Sequence, residues 1–255
     1  MIKWKQHKLR IWKVFLATMM ACAGGWLGAT KGEAGYKIYS PLVEKGEIEL
    51  EWRGWYDIDD AQDKDGRQQN KFALGYGVTE RWFTELYGEV ERDAGENGYE
   101  FKAVEWANRL QLTEQGQYWM DVGLYFSYET TVKEKTADKV EAMILLEKSL
   151  DRFTHRVNVI FEKEVGGGAR EETEAGLALS SRYRWRSVFE PGIEWYSSFG
   201  ELNEGKSFDE QKHRVGPVFY GKVGPVKYDI GYLFGVSDAA VDGVWKWVLE
   251  YEYHF

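Results

Sequence analysis

From about residue 44 the chain alternates apolar and polar residues in short blocks, separated by Gly-rich or Asp-rich stretches. A two-residue period is the signature of strands with one apolar and one polar wall. Glu47 to Ile58 is the cleanest block: Ile48, Leu50, Trp52, Tyr56 and Ile58 stand against Glu47, Glu49, Glu51, Arg53 and Asp57. Strands follow at Phe72 to Val78, Trp82 to Glu91, Tyr99 to Leu112 with a bulge expected near Ala103-Val104, and Tyr118 to Tyr128. Lys139 to Lys148 contains Ala142-Met143-Ile144-Leu145-Leu146, which could form a short helix. It fits better as a strand paired with the block around Val157, Val159 and Phe161, because a lone helix would break an up-and-down count. Thr173 to Tyr183, Ser187 to Ser198, His213 to Gly221, Val226 to Val236 and Val244 to Phe255 complete about twelve strands.

The connections alternate in length. Asp59 to Asn70, Arg92 to Gly98, Thr130 to Asp138, Gly166 to Glu172, Phe199 to Lys212 and Ser237 to Gly243 are polar and mostly long. Thr79 to Arg81, Thr113 to Gln117, Ser149 to Phe153, Arg184 to Arg186 and Lys222 to Pro225 are short. Long loops on one rim and tight turns on the other are the habit of membrane barrels, and an even strand count returns both ends to the short-turn rim.

The two ends of the chain sharpen this reading. Lys3, Lys5, Lys8, Arg10 and Lys13 precede the largely apolar Val14 to Leu27, so residues 1–34 read as a cleaved secretory signal, with cleavage after Ala23, Ala29 or Ala34. Met19-Met20-Ala21-Cys22 loosely resembles a lipoprotein cleavage site that would lipidate Cys22, although leucine is missing three residues before the cysteine. The last strand places Trp245, Trp247, Leu249, Tyr251, Tyr253 and Phe255 on one wall. This ending resembles the C-terminal signal of Gram-negative outer-membrane β-barrel proteins, with Tyr251, Tyr253 and Phe255 in the insertion positions. The resemblance implies an all-β, transmembrane antiparallel up-and-down barrel over residues 35–255, located in the cell outer membrane. It also implies contact with outer-membrane lipid and lipopolysaccharide and with the barrel-assembly machinery.

Composition agrees with strands as the only membrane-crossing elements. Charged residues make up 29% of the 255 and no apolar run after the signal approaches the roughly 20 residues a spanning helix needs. Aromatic residues reach 16%, a supply suited to interfacial girdles. The net charge of -9 and the lack of a basic stripe argue against a nucleic-acid partner. Cys22 is the sole cysteine, so the mature chain is expected to hold no disulfide.

If the apolar wall faces lipid, the opposite parity lines the interior. The lumen candidates are Glu49, Glu51, Arg53, Glu85, Glu89, Glu105, Arg109, Asp121, Glu141, Glu147, Arg156, Glu162, Glu174, Arg182, Glu190, Glu194, Arg214, Lys227, Asp229, Lys246 and Glu250. Carboxylates outnumber cations about two to one on this parity and would favour cations in a wet pore. Alternatively, Arg53, Arg109, Arg156, Arg182 and Arg214 pair with those carboxylates and lock a narrow lumen, since twelve strands give an intermediate bore. The expected function is a passive, acid-lined channel for small cationic or neutral solutes, with a non-conducting or partner-binding barrel as its rival.

Some twelve-stranded barrels of this class are hydrolases, and each needs a histidine base. His213, beside Asp209 and Glu210, is the candidate, because His155 and His254 fall near the other rim. No serine stands two residues beyond it, and an Asp209–His213 pair is a weak signal. No cofactor is expected, nor a metal: His-x-His and Cys-x-x-Cys patterns are missing, and the acidic Asp57 to Asp65 loop lacks the regular calcium-loop ending. Gly166-Gly167-Gly168 has no following Lys-Ser or Lys-Thr, so it reads as flexible linkage.

Overall fold

The computed structural model describes residues 35–133 and 136–254. Residues 1–34, read above as a signal, with Cys22 and the expected cleavage positions Ala23, Ala29 and Ala34, lie outside the described residues, as does Phe255. Twelve strands run in order: β1 Glu47–Ile58, β2 Gln68–Thr79, β3 Trp82–Arg92, β4 Glu100–Gln111, β5 Asp121–Thr131, β6 Asp138–Leu150, β7 Phe153–Val165, β8 Thr173–Tyr183, β9 Glu190–Glu201, β10 Lys212–Val223, β11 Val226–Gly235 and β12 Gly243–His254. Each pairs antiparallel with its chain neighbour, and β1 pairs with β12, so the sheet is a closed barrel. Closure leaves no strand with an unpaired edge.

The two walls follow the period. In β1, Leu50 and Trp52 are 52% and 42% exposed, whereas Glu49, Glu51 and Arg53 are 5%, 4% and 4% exposed. This inverts the ordinary soluble arrangement, in which charge faces water and apolar groups are buried. The inversion continues around the barrel with exposed Phe72, Leu74, Leu86, Trp106, Phe126, Ile144, Ile193, Phe219 and Ile230. The apolar run in the middle of the chain is strand β6, with Met143 and Leu145 buried and Ile144 exposed.

The bulge expected near Ala103-Val104 is present, with Lys102 as the extra residue, since Glu89 and Val90 pair with Ala103 and Phe101. Two connections are longer than expected. The β8–β9 turn is residues 184–189, not Arg184 to Arg186, since β9 begins at Glu190. The β4–β5 connection is not a tight turn but residues 112–120, because Tyr118 to Met120 do not join the ladder. Asp121 Oδ1 accepts the Gly116 N–H at 2.6 Å, Thr113 Oγ1 accepts the Val122 N–H at 2.8 Å, and Gly116 takes a left-handed φ of 70°. These bonds fold the segment on itself and leave Tyr118 and Trp119 60% and 75% exposed.

The β6–β7 and β10–β11 turns are two residues long, Asp151-Arg152 and Gly224-Pro225. Tight hairpins use positive φ at the corner, supplied here by Asp151 at 54° and Gly224 at 60°. Asp tolerates this region better than most residues. Asp151→Gly is therefore expected to leave stability unchanged or improve it, and Asp151→Val to lower it by about 1 kcal/mol or more, as read from urea unfolding of the refolded barrel.

Candidate functional site: an interior strap and its charged cradle

The interior is organised by the segment before β1. Gly35 to Glu44 runs as an extended strap inside the barrel, starting from the short-turn rim, where the Gly46 N–H donates to Gly77 O at 2.8 Å. Its partners move steadily away from that rim. The Val43 N–H donates to Oε1 of Gln111, the last residue of β4, at 2.8 Å. Pro41 lies so close to Gly123, near the start of β5, that a Cβ on the glycine would stand 2.8 Å from the proline ring. Ser40 Oγ donates to Glu147 at 2.8 Å, and the Tyr39 backbone is gripped at both ends by Asn158, whose Oδ1 accepts at 2.7 Å and whose Nδ2 donates at 3.0 Å. Farthest in, the Tyr36 ring meets Trp55 and Tyr196 edge-on at 5.3 and 5.2 Å.

The strap's own alternation decides which wall each residue meets. Tyr36 and Ile38 join an apolar cluster with Ala178, Tyr196, Val218, Leu233 and Val244, on β8 to β12. Tyr39 joins a second cluster with Tyr87, Ala107, Tyr125, Met143 and Leu145, on β3 to β6. Each such side chain contributes about 1.5–3 kcal/mol on burial. The strap thus bridges the two halves of the interior.

Charge supplies the rest of the grip. Lys37 Nζ sits among four carboxylates: it bonds Glu51 and lies 2.8 Å from Glu250, 3.5 Å from Glu49 and 4.0 Å from Glu85. Arg53 lies 3.3 Å from Glu51 and donates to the Tyr39 hydroxyl at 2.5 Å. Buried charges are tolerable only when paired and hydrogen-bonded, and removing one partner of such a pair typically costs about 3–5 kcal/mol.

The other candidates form separate groups. Glu89 and Glu105 meet Lys71 at 2.9 and 3.0 Å. Glu194 and Asp229 meet Lys246 at 2.7 and 2.9 Å, and Glu194 also accepts the hydroxyls of Tyr196 and Tyr220 at 2.8 and 2.6 Å. Arg156 pairs with Glu147 at 2.7 Å, Arg182 with Glu190 at 3.2 Å, and Glu162 with Lys139 at 3.8 Å. The Arg109 and Arg214 guanidiniums stand over the Phe83 and Tyr36 rings at 4.7 and 5.6 Å. Asp121 is engaged with the backbone of the 112–120 turn. Tyr251 and Tyr253 lie exposed on the outer wall, opposite Leu50 and Ile48 of β1.

At the short-turn rim the strap leaves a cavity of about 370 Å³. Its lining carries seven carboxylates (Glu44, Glu47, Glu49, Glu190, Asp229, Glu250 and Glu252) against six cations (Lys37, Arg109, Arg156, Arg182, Lys222 and Lys227), a formal balance of -1. Lys37, Lys222 and Lys227 largely offset the acidic parity of the wall here.

His213 stands elsewhere, on the outer wall near the long-loop rim. Its partner is Ser197 from β9, with Nδ1 2.8 Å from Oγ, rather than Asp209. Trp195 Nε1 also donates to Ser197 Oγ, at 2.6 Å, and Phe208 stacks on the imidazole at 4.1 Å. Nε2 is buried without a hydrogen-bond partner, so among the described residues no carboxylate orients the ring as a general base requires. The loop carrying Phe208 is held by Glu210, which accepts the Ser207 N–H and hydroxyl, both at 2.8 Å; these bonds hold its carboxyl below the ordinary range. The acidic 57–65 loop is tied by its own backbone, since Asp59 Oδ1 accepts the Ala61 N–H at 2.8 Å and Asp65 Oδ1 accepts the Asp59 N–H at 3.2 Å.

Lys71, Asn158 and Gln111 are interior residues missing from the sequence candidates. Reading β2 back from Phe72 by its own period reaches Lys71 and Gln69, so those two were available to parity. The roles of Asn158 and Gln111 depend on the strap and leave no sequence signal.

No protein-family model matches the chain, and no curated protein matches it. Among solved structures, a chain from a study of in-meso crystallization of membrane proteins is similar at 11% identity, with 82% of this chain and 84% of that one covered and a TM-score of 0.47. A triple mutant and a double mutant of the Rhodopseudomonas blastica porin are similar at 9% and 8% identity, covering 81% of this chain and 99% of theirs, each with a TM-score of 0.30. The barrel architecture itself rests on the strand ladders.

Asn158→Leu keeps the branched outline of the side chain and removes both bonds to the Tyr39 backbone. It is expected to lower stability by about 2 kcal/mol or more, because each buried group left unpaired costs about 1–3 kcal/mol; urea unfolding of the refolded barrel is the measurement.

Proposed function

We propose that this chain is a porin-like barrel of the outer membrane whose lumen is held at low conductance by its own Gly35–Glu44 strap. The observation that carries the reading is the strap's path through the interior, tied by Gln111, Glu147, Asn158 and the Lys37 carboxylates. The exposed apolar wall supports the membrane location, since a soluble barrel gains nothing from displaying Leu74, Leu86 and Trp106 at 57%, 55% and 55% exposure. By the usual orientation of such barrels the short turns, the cavity and the base of the strap face the periplasm. Small cationic or neutral solutes would pass when the strap shifts. Its departure uncovers Glu49, Glu51, Glu85 and Glu250, and a ring of carboxylates favours cations.

In planar bilayers the full-length protein is expected to give small, cation-preferring currents, and deletion of residues 35–43 to raise single-channel conductance several-fold. Equal conductance with and without the strap would sink the reading. The location has its own test. Leu74→Arg, at mid-height of the outer wall, is expected to destabilise the barrel in lipid bilayers by about 2–4 kcal/mol, whereas a water-facing position would show almost no change.

A further inference from the structure

The carboxylates around Lys37 come from three strands, and the ammonium they hold comes from none of them. Glu49 and Glu51 project from β1, Glu85 from β3 and Glu250 from β12, while Lys37 arrives on the strap. One carboxylate oxygen each of Glu49, Glu51 and Glu85 lies within 4.8 Å of the others, so the groups converge. The Glu51 and Glu85 side chains are 0% and 1% exposed. Glu85 Oε1 accepts the Tyr87 hydroxyl at 2.7 Å, but Oε2 is buried with no hydrogen-bond partner among the described residues. The cage is therefore built for positive charge and is not fully satisfied by the strap.

The four carboxylates draw their countercharge from several elements: Lys37 on the strap, Arg53 at 3.3 Å from Glu51, Arg109, which interacts electrostatically with Glu85, Glu49 and Glu250, and Lys227, which interacts with Glu250. The occupant shows what chemistry fits. It is a primary ammonium on an unbranched alkyl stem, with Nζ 5.1 Å from the centre of the Tyr39 ring, within reach of a cation–π contact. There is also an approach from outside, because Lys37, Glu49 and Glu250 line the 370 Å³ cavity at the short-turn rim.

We propose that the Glu49–Glu51–Glu85–Glu250 cage is a binding site for soluble primary alkylammonium compounds, with Lys37 as its built-in competing occupant. Such a compound entering from the cavity replaces the Lys37 contacts and loosens the strap at that point. This refines the cation preference proposed above, and the two readings fail separately: binding is read in detergent without any current, and current is read without any amine.

The test uses the full-length protein in detergent, with heat-modifiable gel mobility as the check of folding. Lys37→Ala removes a propylammonium-sized group, so n-propylammonium is the probe and n-propanol the uncharged control. The Lys37→Ala protein is expected to gain thermal stability with n-propylammonium but not n-propanol. Its affinity for the amine should exceed that of the wild type roughly tenfold or more, and a further Glu85→Gln change should weaken it again. If Lys37→Ala does not fold alone, recovery of the folded band on refolding with n-propylammonium supports the site, and no recovery overturns it. Equal responses of wild type and Lys37→Ala, equal effects of amine and alcohol, or binding of Ca²⁺ without binding of the amine would also overturn it.

Discussion

Twelve residues of β1 pair with twelve of β12, from Glu47 opposite His254 to Ile58 opposite Gly243, and this ladder turns a sheet with two edges into a barrel with none. Register in such a ladder also fixes facing, because a one-residue slip would exchange the walls. As paired, Leu50 and Tyr251 meet outside, whereas Glu51 and Glu250 meet inside. The apolar exterior and the charged interior are therefore two results of one constraint, and the concentration of carboxylates at the β1–β12 seam follows from it.

That interior would be unfavourable if left empty of countercharge and contact. The strap supplies both, placing Lys37 among the seam carboxylates and packing Tyr36, Ile38 and Tyr39 into clusters on opposite walls. Arg53 links the two functions, since it pairs with Glu51 and hydrogen-bonds the Tyr39 hydroxyl. The Lys71 and Lys246 groups solve the same problem locally, each cation bridging acids from different strands. An acidic wall in the sequence thus becomes a nearly balanced lining in the folded cavity.

Much of the fold was legible because side-chain alternation and strand facing share one period. β1 and β8 are read with their observed bounds, and the parity that puts Glu49, Glu85 and Lys246 on one wall is visible in the sequence itself. The strap was not legible. Tyr36-Lys37-Ile38-Tyr39 alternates like a strand stub, and nothing local says that it turns inward rather than extending a sheet. The β4–β5 turn was misread because Tyr118 and Met120 keep a strand period while Asp121 and Thr113 cap the backbone elsewhere. The partner of His213 was hidden for a related reason: Ser197 lies sixteen positions earlier in the chain and meets it only through the β9–β10 register.

Whether the strap occupies the lumen of the native protein is settled most directly by amide hydrogen exchange on the full-length protein in isolated outer membranes. The Tyr39 and Val43 N–H groups, bonded to Asn158 and Gln111, should be protected as strongly as amides in the middle of the strands. Exchange of both at the rate of an unstructured chain would contradict the account.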